Sequence, residues 1–313
     1  MCKRMLSIVV LLFLPALALA AGDTDIVLDT PTGRLAGSLL LPASDRPLPV
    51  ALIIAGSGPT DRDGNSAMLP GRYDSLRMLA QALAAAGIAS VRYDKRGIGA
   101  SAAAMQSESA LRFETYIDDA AAWIARLKAD PRFSRVAVIG HSEGALIGMV
   151  AAQQAGASAL VSVAGPGAPL QSVLRRQLAG QLPPALNEEN ERILGRLERG
   201  ELAGEVPPML AALYRPGVQP YLVSQFRYRP AERIAALAMP VLIVQGTTDI
   251  QVGVDDARAL KAASAQARLE IVDGMNHVLK LVPAGAAQLP SYGDPTLPLA
   301  PALVAAITSF LGR

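Results

Sequence analysis

Residues 136–150 read Val136-Ala-Val-Ile-Gly-His-Ser-Glu-Gly-Ala-Leu-Ile-Gly-Met-Val150, and this stretch decides the fold. The apolar run before Gly140 is typical of a buried parallel strand, and the run after Gly144 predicts a buried helix. Between them, the pattern Gly-x-Ser-x-Gly holds Ser142 in a sharp turn, where glycines on either side avoid the clashes that Cβ atoms would cause. The stretch therefore predicts a strained, exposed serine at the start of a helix, in the position of a nucleophile.

Apolar runs and amphipathic runs alternate along most of the chain. Two short runs near the amino end, joined by Thr30-Pro-Thr-Gly33, predict an antiparallel hairpin at a sheet edge. The spacing implies right-handed crossovers, so we expect an α/β fold with a mostly parallel central sheet flanked by helices. The predicted strands are residues 50–55, 88–93, 136–139, 159–164, 241–245 and 269–272, and the predicted helices are residues 75–86, 114–129, 145–152, 255–263 and 299–311.

The alternation stops between Pro166 and Met239. This stretch contains charged helical segments, several prolines and a tyrosine-rich run, but no strong buried strand. We therefore predict a core domain formed by residues 21–165 and 240–313, with a helical cap inserted at residues 166–239. A disordered linker fits poorly with the aromatic residues and periodic leucines. Candidate substrate contacts in the cap, which could equally form its own small core, are Tyr214, Tyr221, Phe226 and Tyr228.

The first twenty residues have the organisation of a secretory signal peptide. Lys3 and Arg4 precede a short apolar core at residues 5–14, and Ala18-Leu-Ala20 is an A-x-A cleavage signal. The apolar core is too short to span a bilayer, which disfavours a retained membrane anchor. We expect cleavage after Ala20 and a secreted or periplasmic protein without a membrane span.

Composition limits the partners of the mature chain. Removal of those 20 residues, two of them basic, leaves 293 of 313 residues, no cysteine, and 27 basic against 27 acidic side chains. A neutral chain gives no electrostatic argument for binding nucleic acid or an anionic membrane. With no cysteine and two histidines far apart in the sequence, we expect neither a metal site nor a cofactor.

The histidines supply the candidate base for the serine. A serine hydroxyl is a poor nucleophile until a base, usually a histidine held by a carboxylate, takes its proton. His141 adjoins Ser142, and neighbours on an extended backbone point to opposite faces, so His141 is poorly placed to reach the hydroxyl. His277 follows the last predicted strand, in a loop at the carboxyl edge of the sheet that can reach the turn. We therefore predict His277 as the general base.

The carboxylate is expected between the serine and the histidine in sequence, which is the chain order that accompanies this turn. Asp249 directly follows a predicted buried strand and has the required position at its carboxyl end. Asp255 and Asp256 are rivals, but they suit the first turn of the next helix, where acids complement the helix dipole. Asp273 lies too close in sequence to His277 to orient its ring. Asp249 is therefore the predicted acid.

Acyl transfer also requires donors for the developing oxyanion. The backbone N–H of Glu143, at the predicted helix start, is one candidate. The second is expected in the loop Gly56-Ser-Gly-Pro-Thr-Asp-Arg-Asp-Gly64, where the amide of Ser57 or Gly58 is accessible. The aspartates of this loop also suggest calcium, but their spacing lacks the glycine and the terminal glutamate of an EF-hand.

These features resemble the α/β-hydrolase superfamily. The resemblance covers the mature chain through Gly140-His-Ser-Glu-Gly144, Asp249 and His277, which occur in the right order and contexts. It implies the α/β-hydrolase fold, with a Ser-Asp-His triad and an inserted cap above the sheet.

Two further motifs are similar to those of EstD-like bacterial carboxylesterases, often described as serine-aminopeptidase-like hydrolases. They are the loop at residues 56–64 and Tyr93-Asp-Lys-Arg-Gly-Ile-Gly-Ala-Ser101. The resemblance implies that the first is the oxyanion loop and that the second is a structural turn anchored by Asp94 and Arg96. It also implies a preference for short acyl chains. The cap matches this family least well.

Together, the sequence predicts a secreted serine carboxylesterase that cleaves small acyl esters through an acyl-enzyme. A peptidase or amidase would need the same triad but a cap that recognises an amine or a peptide. A third interpretation, from another class, is a hydrolase-fold protein that only binds a ligand. Loss of a triad residue would favour it, and all three residues are present.

Overall fold

The computed structural model describes residues 22–312, and the predicted signal peptide at residues 1–20 lies outside the described residues. The strands are β1 (Asp23–Thr30), β2 (Gly33–Leu40), β3 (Leu48–Ile54), β4 (Ala89–Tyr93), β5 (Phe133–His141), β6 (Ala159–Val163), β7 (Val241–Gly246) and β8 (Arg268–Val272). The helices are α1 (Ser75–Ala85), α2 (Phe113–Lys128), α3 (Glu143–Ala155), α4 (Leu170–Leu178), α5 (Pro184–Glu198), α6 (Ala211–Tyr214), α7 (Gln219–Gln225), α8 (Pro230–Ala235), α9 (Val254–Ala263) and α10 (Pro301–Leu311). None of the helices within residues 22–312 is long and apolar enough to cross a bilayer.

The strands form one sheet in the order β1-β2-β4-β3-β5-β6-β7-β8. β1 and β2 make the predicted antiparallel hairpin at one edge, and β2 pairs antiparallel with β4. From β4 across to β8, each neighbouring pair is parallel. The predicted α/β class with a mostly parallel sheet is thereby confirmed.

Apolar side chains cover both faces of the sheet. In β5, Val138 belongs to a cluster that includes side chains of α2 and α3, whereas Ile139 belongs to a cluster that includes side chains of α1 and α10. Alternate residues of a strand face opposite sides, so a strand covered on both faces needs an unbroken apolar run. This requirement explains why the central strands were recognisable from the sequence.

The stretch predicted as a cap, between β6 and β7, folds into helices α4 to α8. It packs against the amino end of α2, where the Phe113 ring lies 6.1 Å from the Tyr221 ring and 4.9 Å from the Tyr228 ring between centroids. The Phe113 N–H also donates to the Ser224 hydroxyl at 2.8 Å. These contacts show that the segment is helical and packed against the sheet domain, and that it is not a disordered linker.

Two glycines allow α3 to begin directly against the end of the sheet. An added Cβ at Gly144 would collide with the carbonyl oxygens of Ile54 and Ala55, the latter at 2.7 Å, and one at Gly140 would lie 2.5 Å from the Cα of Ala145. Cβ atoms do not approach backbone this closely, so the strand-to-helix turn requires glycine at both positions. The serine between them is thereby placed at the carboxyl edge of the sheet.

Candidate active site

Ser142 has the strained backbone that the motif predicts. Its φ of 55° and ψ of −124° are unusual for a residue with a side chain. Its N–H donates to the Val163 carbonyl at 2.9 Å, which ties the turn to the neighbouring strand β6. Ser142 lines a cavity of about 200 Å³, here called the serine cavity, together with Ser57, Leu146 and residues of helix α4. The hydroxyl therefore stands at a site with room for a small substrate.

His277 is held by Asp249, as predicted. The ring Nδ1 donates to Asp249 Oδ2 at 2.8 Å, and the two side chains are 7% and 1% exposed. The carboxylate also accepts from the N–H groups of Gln251 and Val252 and from Gln245 Nε2, at 2.8, 3.0 and 3.1 Å. Burial works to raise the pKa of Asp249, but the charge of His277 and these hydrogen bonds outweigh it, so the pKa lies below its usual value. Asp249 is therefore ionised at neutral pH and fixes the ring with Nδ1 protonated.

The turn carrying His277 is anchored to the loop that carries Asp249. The Thr248 N–H donates to the Met275 carbonyl at 3.2 Å. The Asn276 side chain accepts from the Lys280 N–H at 3.0 Å, which closes the turn around the histidine. His277 and Asp249 are thus positioned by backbone contacts between neighbouring loops as well as by their own hydrogen bond.

The other candidate acids have different partners. Asp256 accepts from the Gly167 N–H at 3.0 Å, and Asp255 pairs with Arg258 on the surface of α9. Asp273 accepts from the Thr247 hydroxyl at 2.9 Å. None of the three bonds to the histidine, and no group of three or more potential metal-binding side chains lies together in the part of the chain that the structure describes.

His141 supports the loop that carries His277. Its Nε2 donates to the His277 carbonyl at 2.8 Å, and the two rings lie 4.9 Å apart between centroids. Burial, and then the charge of His277, lower the pKa of His141 to about 3. His141 is therefore neutral at physiological pH and acts through the position of the His277 backbone, a contact that sequence reasoning missed.

The buried His141 predicts a dependence of stability on pH. Its pKa in the folded protein, about 3, lies below the usual value of about 6.5, so unfolding takes up a proton between these limits. Stability is complete above that window and falls as the pH decreases through it, by about 1.4 kcal/mol per pH unit. His141→Gln, which keeps a donor, should lack this contribution when urea unfolding is measured from about pH 7 to pH 4.5. Parallel stability curves for the two proteins would contradict the assignment.

Among the described residues, no hydrogen bond joins the hydroxyl of Ser142 to the ring of His277. Such contacts are often long in a ligand-free site and shorten when substrate binds. The loop that carries Asp249 nevertheless borders the serine cavity, because Gln251 and Val252, whose N–H groups donate to the Asp249 carboxylate, line it.

Three backbone amides near the serine are available as donors. Within residues 22–312, the N–H groups of Ser57, Gly58 and Glu143 have no hydrogen-bond acceptor. Glu143 begins α3, where helix geometry leaves its N–H without an intrahelical partner. Gly56, just before the other two, lies so close to the turn that an added Cβ would be 3.2 Å from the Cβ of Ser142. Both predicted oxyanion segments therefore adjoin the serine.

The motif at residues 93–101 forms the turn implied by the resemblance. Asp94 accepts from the Arg62 N–H and from its guanidinium, both at 2.8 Å, and from the Ala100 N–H at 2.9 Å. Arg96 forms a buried ion pair with Asp119 of α2 at 2.6 Å. Since Arg62 belongs to the loop at residues 56–64, Asp94 also joins the two motifs to each other.

A buried polar chain beside the serine was not foreseen. Lys95 donates from Nζ to the Gly56 carbonyl at 2.5 Å and pairs with Glu143 Oε1 at 3.2 Å. Gln225, at the end of α7, donates to Glu143 Oε2 at 3.2 Å. One sequence feature could have indicated this polar chain: Lys95 comes just after a buried strand, at the carboxyl edge of the sheet where Ser142 also lies.

The four cap aromatics suggested as substrate contacts do not line the serine cavity. Tyr214 is fully buried and donates to Asn190 Oδ1 at 2.8 Å, and Phe226 is also buried. Tyr228 packs against the start of α2, and Tyr221 borders a neighbouring cavity of about 460 Å³. Tyr214, Phe226 and Tyr228 thus contribute to packing within or beneath the cap, whereas Tyr221 lines that neighbouring cavity together with Gly58 and Glu143.

Comparison with known proteins agrees with this architecture. Residues 70–195 match the family described as Serine aminopeptidase, S33. The chain is 31% identical over 258 residues to Esterase EstD of Thermotoga maritima; the match covers 80% of this chain and 59% of EstD, so the chain spans about three fifths of that relative.

Solved structures of low sequence identity share the fold. Est1E from Butyrivibrio proteoclasticus gives a TM-score of 0.59 at 17% identity, with 92% of this chain and 97% of that chain covered. The esterase domain of a Rhodothermus marinus protein gives 0.55 at 19% identity, with 87% and 93% covered. The chain therefore has the α/β-hydrolase fold, and its sequence is similar to EstD and, over residues 70–195, to the serine aminopeptidase family.

Proposed function

We propose that this protein is a serine hydrolase that cleaves carboxylic esters through an acyl-enzyme. The observation that carries the proposal is the hydrogen bond from His277 Nδ1 to Asp249. It fixes the ring tautomer and leaves Nε2 to accept the proton of Ser142, whose strained backbone stands at the carboxyl edge of the same sheet. Asp249 would orient His277 and stabilise its cationic form.

The reaction follows from these positions. His277 Nε2 takes the hydroxyl proton while Ser142 Oγ bonds to the ester carbonyl carbon, and the carbonyl electron pair moves to oxygen. The N–H of Glu143 and that of Ser57 or Gly58 would donate to this oxyanion. Collapse expels the alcohol, which receives the proton from His277. Water, deprotonated by His277, then attacks the acyl-enzyme carbonyl, and collapse of the second intermediate releases the acid and restores the Ser142 hydroxyl.

The substrate we propose is a small ester with a short acyl chain. Resemblance to EstD supports an ester, and the serine cavity, at about 200 Å³, has space for an acyl chain of a few carbons. Apolar side chains supply most of its wall, among them Leu146 of α3 and Leu170, Val173 and Leu174 of α4. Such a wall stabilises an alkyl chain through burial.

An aminopeptidase is the second candidate, because the matching family carries that description. A peptide substrate with a free amino end brings an ammonium group, which a carboxylate must neutralise. Among the residues lining the serine cavity, Glu143 has the one carboxylate, and it is already paired with Lys95 and Gln225. This favours the neutral ester.

Two measurements test the function together. A fluorophosphonate should label Ser142 stoichiometrically, and nitrophenyl acetate and butyrate should be hydrolysed while aminoacyl nitroanilides are not. Preferential cleavage of the nitroanilides would establish the peptidase instead. Failure of the fluorophosphonate to react with the folded protein would favour a ligand-binding role.

We also propose that residues 1–20 direct the protein out of the cytoplasm and are removed after Ala20. The charged start, the apolar core and the A-x-A signal support this proposal. Mass spectrometry of protein recovered from the periplasm of an expressing bacterium should show a chain beginning at Ala21. An intact chain confined to the cytoplasm would contradict it.

A further inference from the structure

Lys95 is a buried cation that the proposed reaction does not use directly. Its side chain is 1% exposed and follows the carboxyl end of β4. The ammonium group contacts the Gly56 carbonyl at 2.5 Å and Glu143 Oε1 at 3.2 Å, and it lies 4.9 Å from the centroid of the Tyr116 ring. A buried ammonium is costly unless it is paired. Here the two groups that accept its hydrogen bonds, on Gly56 and Glu143, belong to segments next to Ser142.

The two partners of Lys95 belong to different halves of the candidate oxyanion site. Gly56 directly precedes Ser57 and Gly58, whose amides are the loop donors, and Glu143 supplies the donor of the helix. We propose that Lys95 is a positioning residue that holds these two segments at the spacing required by one oxyanion. The proposal rests on the proposed esterase function.

The charge of Lys95 has a second effect at the same place. Glu143 is 9% exposed, and its carboxylate belongs to the residue whose N–H faces the developing oxyanion. An unpaired carboxylate there would repel the negative charge of the tetrahedral intermediate, and a low-dielectric site strengthens that repulsion. Lys95 neutralises the carboxylate, and Gln225 occupies its other oxygen. The effect should therefore appear in the transition state and not in the binding of the neutral ester.

Replacement with methionine tests this assignment, since methionine keeps an unbranched chain without the charge. Lys95→Met should lower kcat for nitrophenyl butyrate by about 100-fold, the scale of losing one oxyanion donor, with KM changed by less than about threefold. Rates are divided by the active sites counted by complete fluorophosphonate labelling. A trifluoromethyl ketone, which forms an oxyanionic adduct with the serine, should lose affinity by the same factor as kcat/KM.

Arg96→Met is the matched control, because Arg96 is the next residue and also forms a buried ion pair, with Asp119 on α2. It should lower Tm while kcat for each labelled site stays within about threefold. If Lys95→Met does not fold, Lys95→Met combined with Glu143→Gln removes the unpaired carboxylate and should still show a loss of kcat, the part that comes from the lost spacing of the two segments.

The outcomes are distinct. Wild-type protein that neither turns over esters nor reacts with fluorophosphonate would remove the proposed function itself. If the wild type is active, and if Lys95→Met or the double variant has the same kcat and the same ketone affinity, the proposed role of Lys95 is overturned while the proposed function stands. Equal losses of kcat in Lys95→Met and Arg96→Met would also overturn it, since they would show a general effect of buried ion pairs.

Discussion

Ser142→Ala should lower kcat for nitrophenyl acetate by at least about 10⁴-fold while leaving Tm unchanged. Loss of the nucleophile removes the acyl-enzyme route, and knockouts of such residues in serine hydrolases have effects of this size or larger. Alanine retains the Cβ atom, so the strained backbone at φ 55° is the same in both proteins. The measurement is hydrolysis by the purified variant together with thermal unfolding.

Ser142→Gly provides the matched control for strain. It should be equally inactive, but more stable than Ser142→Ala, by about 1 kcal/mol, because glycine adopts a positive φ without a Cβ penalty. The greater freedom of glycine in the unfolded chain offsets part of this gain. Retention of more than a hundredth of the wild-type rate in either variant would show that another residue is the nucleophile.

Gly144→Ala should destabilise the protein by about 3 kcal/mol and abolish most of its activity. The new Cβ would meet the carbonyl oxygens at the end of β3, including that of Ala55 at 2.7 Å, and backbone atoms cannot turn aside as a side chain can. The start of α3 must then move, and the N–H of Glu143 moves with it. Urea unfolding gives the stability, and ester hydrolysis by the folded fraction gives the effect on the site.

Gly195→Ala is the corresponding control within a helix. Gly195 lies inside α5, and an added Cβ there would meet just Arg199 Nη1, at 3.7 Å. This substitution should stabilise the protein by about 0.5–1 kcal/mol, since alanine is the better helix former. Equal effects at the two glycines would refute the steric explanation for Gly144.

The sequence was sufficient for the fold and for the turn at Ser142 because those features depend on local rules. A strand covered on both faces must be apolar throughout, and a sharp strand-to-helix turn must contain glycine, so β5 and α3 were predictable. Asp249 and His277 each follow a predicted strand, and the carboxyl ends of parallel strands meet at one edge. Their hydrogen bond at 2.8 Å agrees with that expectation.

The rest of the site depends on distances through space that no local pattern contains. Lys95 meets Glu143 across 48 positions of the chain, and Gln225 meets it across 82. The motif around Lys95 predicted a turn, but not which way the lysine would point. In the cap, an aromatic composition is compatible with a cavity wall and with a packed core, and both occur: Tyr214 is 0% exposed, whereas Tyr221 borders a cavity.

The hydrogen bond from Gln225 to Glu143 limits how this protein can be re-engineered. Residues 166–239 form one continuous insertion between β6 and β7, so a chimera could exchange them with two junctions and leave Ser142 and Asp249 unchanged. The graft would nevertheless need a donor at position 225, because Glu143 Oε2 otherwise loses its partner next to the serine. Libraries of variants that aim to change the substrate range should therefore vary the α4 residues that line the serine cavity and keep Gln225, at the end of α7, unchanged.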